Sequence, residues 1–541
     1  MKKLLLIWTC LLVFISGCAK EEPCVAGEGN ICYDEETQQY QIEPDARIRV
    51  MVETVEYGQA LSDLWNKNYP DHQNVIEPVA VGSYDGGTWL SDQTDIALMW
   101  SQDAAQLNFN FMPVHESIEE DIRKHFPQQF GELLNQDGLR YIPMNYYGMV
   151  FSTNATMLQE MGYDITDSDG DGLIDEFDTF EELMMLSDQW KTTIRTYRDQ
   201  PVTSIFPISF SDLWSSLVFL SASDFRFFSS QDALIPGFDS EEFLETLKFI
   251  REIGSHSWYL QESQPEEEIQ QDAEELNTEE QTEVPEETEV PEETEVPEAT
   301  EVPNIEEVLK QSEGEEEEVI YPYHHANDPI FNEGWLYDVY LEKLISPFSM
   351  VGTWMYYDQM EQIHQQDFLF SPMPDYHEKT LSPMVMTRGY MISKNTDYPS
   401  AANAVMQLIR SEEGLQAYID TVHEIPAVIA VEDPANRKEI NEQMSEEEIE
   451  AVENLIYLNF RNENQKQMSY AFSYSQEESM VAYEMDTRVR GWDMLEELDL
   501  RAMMQSVMKQ EITPEQAQQQ LIGKSEKWMT PYIPVEEEEE K

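Results

Sequence analysis

Asp167, Asp169 and Asp171 alternate with small residues, and Gly172, Leu173, Asp175 and Asp178 follow them. Those types at that spacing suit a hard cation. Ca²⁺ takes about six to eight oxygen ligands, and short acidic side chains at alternate positions converge as a chain winds round the ion. Gly172 permits the sharp turn this needs. Leu173 offers a backbone carbonyl, Asp175 reaches through water and Asp178 closes the shell. Ile174 supplies an apolar residue that turns inward. The expected occupant is a structural Ca²⁺ that staples one surface loop, and no organic cofactor is expected.

The order of these donors resembles the EF-hand loop and the related dockerin loop. It departs from the EF-hand in its last ligand, Asp178, which is shorter than the usual Glu. Gly162 interrupts the chain upstream, so no helix is expected before the loop. Thr179-Phe-Glu-Glu-Leu reads as a capped helix start after it. Other catalytic signals are missing: there is no nucleophile elbow, no His-Glu-x-x-His and no Walker loop. Two of the 108 acids could in principle flank a glycosidic bond. With no recognisable motif around any pair, the expectation is a binder and not an enzyme.

The elements that must position such groups begin after a targeting segment. Lys2 and Lys3 precede an apolar run, Leu4 to Ile15. That run is short of the roughly 20 residues a membrane span needs. Ile15-Ser16-Gly17-Cys18 follows and resembles the bacterial lipobox. The resemblance implies cleavage before Cys18, so that 1–17 is a lipoprotein signal peptide, and acyl chains on Cys18. It places the mature chain on the outer face of the cytoplasmic membrane, held by that lipid anchor. An oxidising compartment would allow Cys24 and Cys32 to close a small loop, and two free thiols fit equally well. The fourth cysteine is Cys10 in the apolar run, so the body of the chain has neither a disulfide framework nor a thiolate zinc site.

Residues 18–45 are polar and acidic and suit a tether. Ile48–Val52, Val75–Val81 and Asp95–Trp100 read as strands, with Leu61, Leu64 and Trp65 at helical spacing between the first two. Strands alternating with helices predict an α/β lobe with a largely parallel sheet. The pattern breaks at 262–318, which carries 25 acids against one Lys. Within it Thr-Glu-Val-Pro recurs at Thr282, Thr288, Thr294 and Thr300. This stretch holds about a third of the formal net charge of -76 and reads as a disordered acidic insertion. Residues 531–541 form a second, shorter acidic tail. The 541 residues carry 32 Lys+Arg against 108 Asp+Glu, which excludes a basic face for nucleic acid and polybasic docking to anionic lipid.

Several stretches in order resemble the extracellular solute-binding proteins of ABC transporters, specifically the carbohydrate class related to maltose-binding protein. Ile142-Pro-Met-Asn-Tyr-Tyr-Gly148, continuing to Asn154, resembles the family's strand that crosses between lobes. Phe348-Ser-Met-Val-Gly-Thr-Trp354 resembles its segment ending Gly-Pro-Trp, with Thr353 in place of Pro. Arg388-Gly-Tyr-Met-Ile-Ser-Lys394, Pro399 to Ala402 and Ser411 to Tyr418 resemble a further run, followed by Ile425-Pro-Ala427. Ile512-Thr-Pro-Glu-Gln-Ala517 fits the C-terminal pattern.

The resemblance implies an α/β, two-lobed periplasmic-binding-protein-like fold, with hinged lobes and a ligand cleft between them. Lobe one would comprise 46–150 plus 385–430. Lobe two would comprise 151–384 plus 431–530, with the insertion inside it. It implies capture of a sugar or oligosaccharide for ABC permease subunits. A sugar offers an apolar C–H face and a ring of hydroxyls, so aromatic platforms and planar polar groups are wanted. Trp354 is the first candidate, because its motif places it at the cleft. Tyr146 on the crossing strand and Arg388 follow, then Tyr57, Trp100 and Trp214. Two other readings remain open from sequence: an adhesin or sensor on the same fold, and a receptor for a non-sugar solute.

Overall fold

The structure is a computed structural model. It describes residues 30–525 except 82–93, 127–134, 136–137, 191–194, 211–215, 231–234, 257–339, 341–343, 476–497 and scattered single or paired positions, Asp169 and Asp171 among them. The signal peptide, Cys18, Cys24, Trp214, the acidic insertion and the acidic tail lie outside the described residues.

A short hairpin, β1 (Tyr33–Asp34) and β2 (Gln39–Tyr40), opens the described chain. Residues 30–45 were expected to belong to a tether; instead they are docked. Cys32 is buried and disulfide-bonded, its partner lying outside the described residues. The rings of Tyr33 and Tyr40 pack together at 4.9 Å and both reach His115. Polar composition hid this, because a few aromatics and one buried acid, Glu43, do the docking.

β3 (Ile48–Val52) is buried on both faces and pairs in parallel with β4 (Ile76–Ala80) and β5 (Ile96–Trp100). Apart from the half-exposed Arg49, its run of β-branched and apolar residues is what a covered parallel strand needs. Helix α1 (Val55–Asn68) joins β3 to β4. The Thr54 hydroxyl accepts from Tyr57 N–H and caps it, and Tyr57, Leu61 and Trp65 form its buried stripe. A short β6 (Phe111–Met112) and helix α2 (Glu116–His125) follow.

β7 (Ile142–Asn154) is thirteen residues long and buried throughout. Ile142 and Met144 sit in one hydrophobic core, whereas Tyr146, Met149 and Phe151 sit in a second. The strand therefore passes from one core to the other. β8 (Phe348–Gly352) and β9 (Phe368–Ser371) pair with its second half. β10 (Val385–Ser393) runs back along β7 and crosses in reverse: Val385 and Met386 belong to the second core, Tyr390 to Ile392 to the first. The main path of the sheet is β8-β7-β10-β5-β3-β4. Among its described strands only β3 pairs in parallel, with β4 and β5. The largely parallel sheet expected from sequence is therefore not found, because the crossing strands β7 and β10 run antiparallel to their neighbours.

Two helices on the first core follow, α5 (Pro399–Arg410) and α6 (Glu412–Thr421), and then β11 (Ile425–Pro426), which also pairs with β7. Ile456 and Leu458 pack on the first core, although 431–530 was expected in lobe two; strand pairing of Val431–Glu432 with Ile456–Tyr457 holds that segment there. The chain crosses a third time into α7 (Glu463–Ser475), whose Met468, Ala471 and Phe472 join the second core.

The second core is built by helices α3 (Phe180–Trp190) and α4 (Glu241–Ile253), with α8 (Leu500–Met508) and α9 (Pro514–Ser525) closing it. Phe180 makes edge-on contacts with Phe206, Phe219 and Phe249. α3 starts as its sequence predicts. Thr179 Oγ1 accepts from Glu182 N–H, and Glu182 Oε2 accepts from Thr179 N–H.

Candidate functional site

The crossing strands bring three aromatic rings together at the junction of the two cores. Trp100 is the last residue of β5, where the C-terminal ends of parallel strands open. Tyr147 lies on β7, and Trp354 follows β8. Tyr147 and Trp354 stack at 4.8 Å and 8°, and Trp100 meets Tyr147 edge-on at 5.2 Å. Trp100 and Trp354 are only half-buried, so the stack is reachable from solvent. Gly352 makes it fit: a Cβ there would lie 2.4 Å from two atoms of the Trp354 ring.

Sequence reasoning named two of these three rings and chose the wrong neighbour for the third. Tyr146 is 1% exposed and packs in the second core, 5.2 Å from Phe472. Tyr147 faces the opposite side of the strand, as alternation requires. Tyr57 is buried against Tyr418, edge-on at 5.2 Å, and not part of the stack.

Arg388, on β10, pairs in register with Trp100 and Asn145, and its guanidinium lies 5.4 Å from the Trp100 ring. Its side chain is buried, and so are two acids that face it, Glu53 after β3 and Glu424 before β11. Neither acid stood out among 108 in the sequence. Burial raises the Glu53 carboxyl above the ordinary carboxylate range and pushes that of Glu424 up to about 8, with Arg388 pulling both the other way. Tyr418 and Asn145 complete this polar group beside the stack.

The acidic loop lies elsewhere, against the second core. Asp167 Oδ1 accepts from Gly170 N–H at 2.7 Å and its Oδ2 from Gly172 N–H at 3.0 Å. Asp175 Oδ1 accepts from Ser168 N–H at 2.7 Å. Gly170 and Gly172 have φ of +82° and +89°, left-handed conformations that suit Gly. Leu173 and Ile174 are buried, which pins the loop, and Asp178 O accepts from Asp375 N–H. Asp167 thus accepts from two backbone N–H groups of the turn that follows it. Among the described residues no three His, Cys, Asp or Glu side chains gather as a metal cage; Asp169 and Asp171 lie outside that set.

No protein-family profile and no curated protein matches the sequence. Solved structures do match the fold. One is a cyclo/maltodextrin-binding protein complexed with maltotetraose, at TM-score 0.52 and 12% identity, covering 90% of this chain and 98% of that one. Another is an extracellular solute-binding protein from Staphylococcus aureus in complex with maltose, at TM-score 0.52 and 12% identity, covering 89% and 97%. The fold of this chain is therefore the two-lobed α/β fold of solute-binding proteins.

Proposed function

We propose that this chain is a lipid-anchored extracellular receptor that captures a sugar or oligosaccharide and hands it to the permease subunits of an ABC importer. The observation that carries the reading is the solvent-reachable stack of Trp100, Tyr147 and Trp354 at the junction of two lobes. It is supported by the fold, whose neighbours are binding proteins solved with maltotetraose and maltose. An indole face suits the C–H face of a pyranose, and a sugar held between lobes gains contacts from both as they close. Arg388, buried with its guanidinium 5.4 Å from the Trp100 ring, backs that platform with a cation–π contact.

The anchor rests on Ile15-Ser16-Gly17-Cys18 after the apolar run, with Cys18 as the acylated residue. The acidic loop is the seat of a structural Ca²⁺, with Asp167, Asp169, Asp171, Asp175 and Asp178 as side-chain ligands and the Leu173 carbonyl among them. The left-handed turns and the buried Leu173–Ile174 step favour it.

A thermal-shift screen of residues 19–541 against monosaccharides and oligosaccharides tests the receptor reading. A ligand at a hundred times its dissociation constant adds about 2.7 kcal/mol of stability. A sugar-specific shift supports it. A folded protein that no sugar shifts removes the sugar claim and moves weight to another solute.

A further inference from the structure

Glu53 and Glu424 are only 2% and 9% exposed, and one hydroxyl bridges them: Tyr418 Oη lies 3.1 Å from Glu53 Oε1 and 3.1 Å from Glu424 Oε2. A phenol has one proton to donate. The orientation of Asn145 fixes how the rest of that oxygen is used. Asn145 Oδ1 accepts from Arg388 N–H at 3.1 Å, so its Nδ2 is the atom 2.9 Å from Tyr418 Oη, and it donates there. Tyr418 can then satisfy only one of the two carboxylates. The other contact is a hydrogen bond only if that carboxyl carries a proton of its own and donates it to the phenol oxygen. With both acids ionised, one would face lone pairs in a buried site.

Charge balance points the same way. Arg388 on β10 is the cation that faces both acids, and the phenols of Tyr57, Tyr390 and Tyr418 surround them from α1, β10 and α6. Arg410 on α5 faces Tyr57 and Tyr390 from behind, with its own Nη1 given to Pro143 O. One proton makes Glu53, Glu424 and Arg388 neutral together; none leaves a buried net charge of about -1.

We propose that Glu53 and Glu424 form a one-proton site, sharing a single proton through Tyr418 at neutral pH, and that this site makes the lobe junction pH-sensitive. Its position gives it that reach. Asn145 belongs to the first crossing strand and Arg388 to the second, and Gln465 of the third crossing donates to Glu424 O at 3.2 Å. Burial, and for Glu424 its acidic neighbour, raise the folded-state pKa, to about 8 for Glu424, above the unfolded carboxylate value. The folded protein thus holds a proton that the unfolded chain releases near about pH 4.3. The stabilisation is complete below that value and is lost as pH rises through about 8.

Infrared difference spectra of the unmodified protein in H₂O and D₂O test this without any variant. The expected result is a deuterium-sensitive carboxylic-acid C=O band at about pH 7, gone by about pH 10, when exposed acids have long been ionised. Glu424→Gln and Glu53→Gln each remove the band. Thermal midpoints give a second readout: between about pH 6 and pH 9 the unmodified protein loses more stability than Glu424→Gln, which is fixed in the neutral form. Tyr418→Phe keeps the acids and cuts the bridge, and shifts the band. No such band at neutral pH in the unmodified protein, or a band that survives both Gln variants, overturns the proposal.

Discussion

Gly352→Ala separates a ligand platform from an ordinary packing residue. Gly352 ends β8 and is paired with Met149 of β7, so its backbone cannot retreat. An added Cβ would meet Trp354 Cε2 and Cζ2 at 2.4 Å and Cη2 at 2.7 Å. Carbon atoms rest at about 3.5–4.0 Å, so the indole must move by about 1 Å or more. Trp354 is half-buried and can move outward, so the fold should lose only the stacking on Tyr147, about 0.5–1.5 kcal/mol. The ligand should lose more. If the indole covers about 80 Å² of a sugar's apolar face, its contribution is about 2 kcal/mol, or roughly 30-fold in dissociation constant. Gly352→Ala displaces the ring without deleting it, so a loss of about 5- to 30-fold is expected. Near-ultraviolet circular dichroism reports whether the ring has moved, and calorimetric titration with the best sugar reports affinity. A moved ring with unchanged affinity would refute the platform.

Three further outcomes follow from particular contacts. Glu43 accepts from Ser400 N–H at 2.7 Å and Ala401 N–H at 2.8 Å, at the first turn of buried α5. Glu43→Ala strands both donors and should cost about 2–4 kcal/mol in urea unfolding; a cost below about 0.5 kcal/mol would mean that the N-terminal hairpin is not docked. Chelator should lower the thermal midpoint and Ca²⁺ restore it, with Asp167→Ala insensitive to both; equal midpoints in the unmodified protein would remove the calcium reading. Cys18→Ser should move the protein expressed in cells from the detergent phase to the aqueous phase, and an unchanged partition would exclude acylation at that residue.

Ile142–Asn154 was legible through its resemblance to the family's crossing strand. It is buried over all thirteen residues although Asn145, Ser152, Thr153 and Asn154 are polar, so hydropathy alone does not mark it. Trp354 was legible through the family motif that it ends, and Trp100 because it closes a strand-like run. Tyr147 was not, since two adjacent tyrosines differ only in the face they present, and the neighbours of β7 decide which face is core. Glu53 and Glu424 lie 371 positions apart in sequence, from 53 to 424, and meet only after the chain has crossed to the second core and back. Nothing local distinguishes them from the other acids. The docked hairpin at 30–45 was hidden for a related reason: its anchors, Ser400 and Ser117, come from helices elsewhere in the chain.

The central claim is that a sugar is captured at the aromatic stack between the lobes. The measurement that tests it most directly is isothermal titration of residues 19–541 and of its Trp354→Ala variant across a panel of glucose oligomers and other glycans. The account predicts saturable, one-to-one binding of at least one sugar, weakened about tenfold or more by Trp354→Ala with the fold intact. A folded protein that releases no binding heat with any glycan, or binding that Trp354→Ala leaves unchanged, would contradict it.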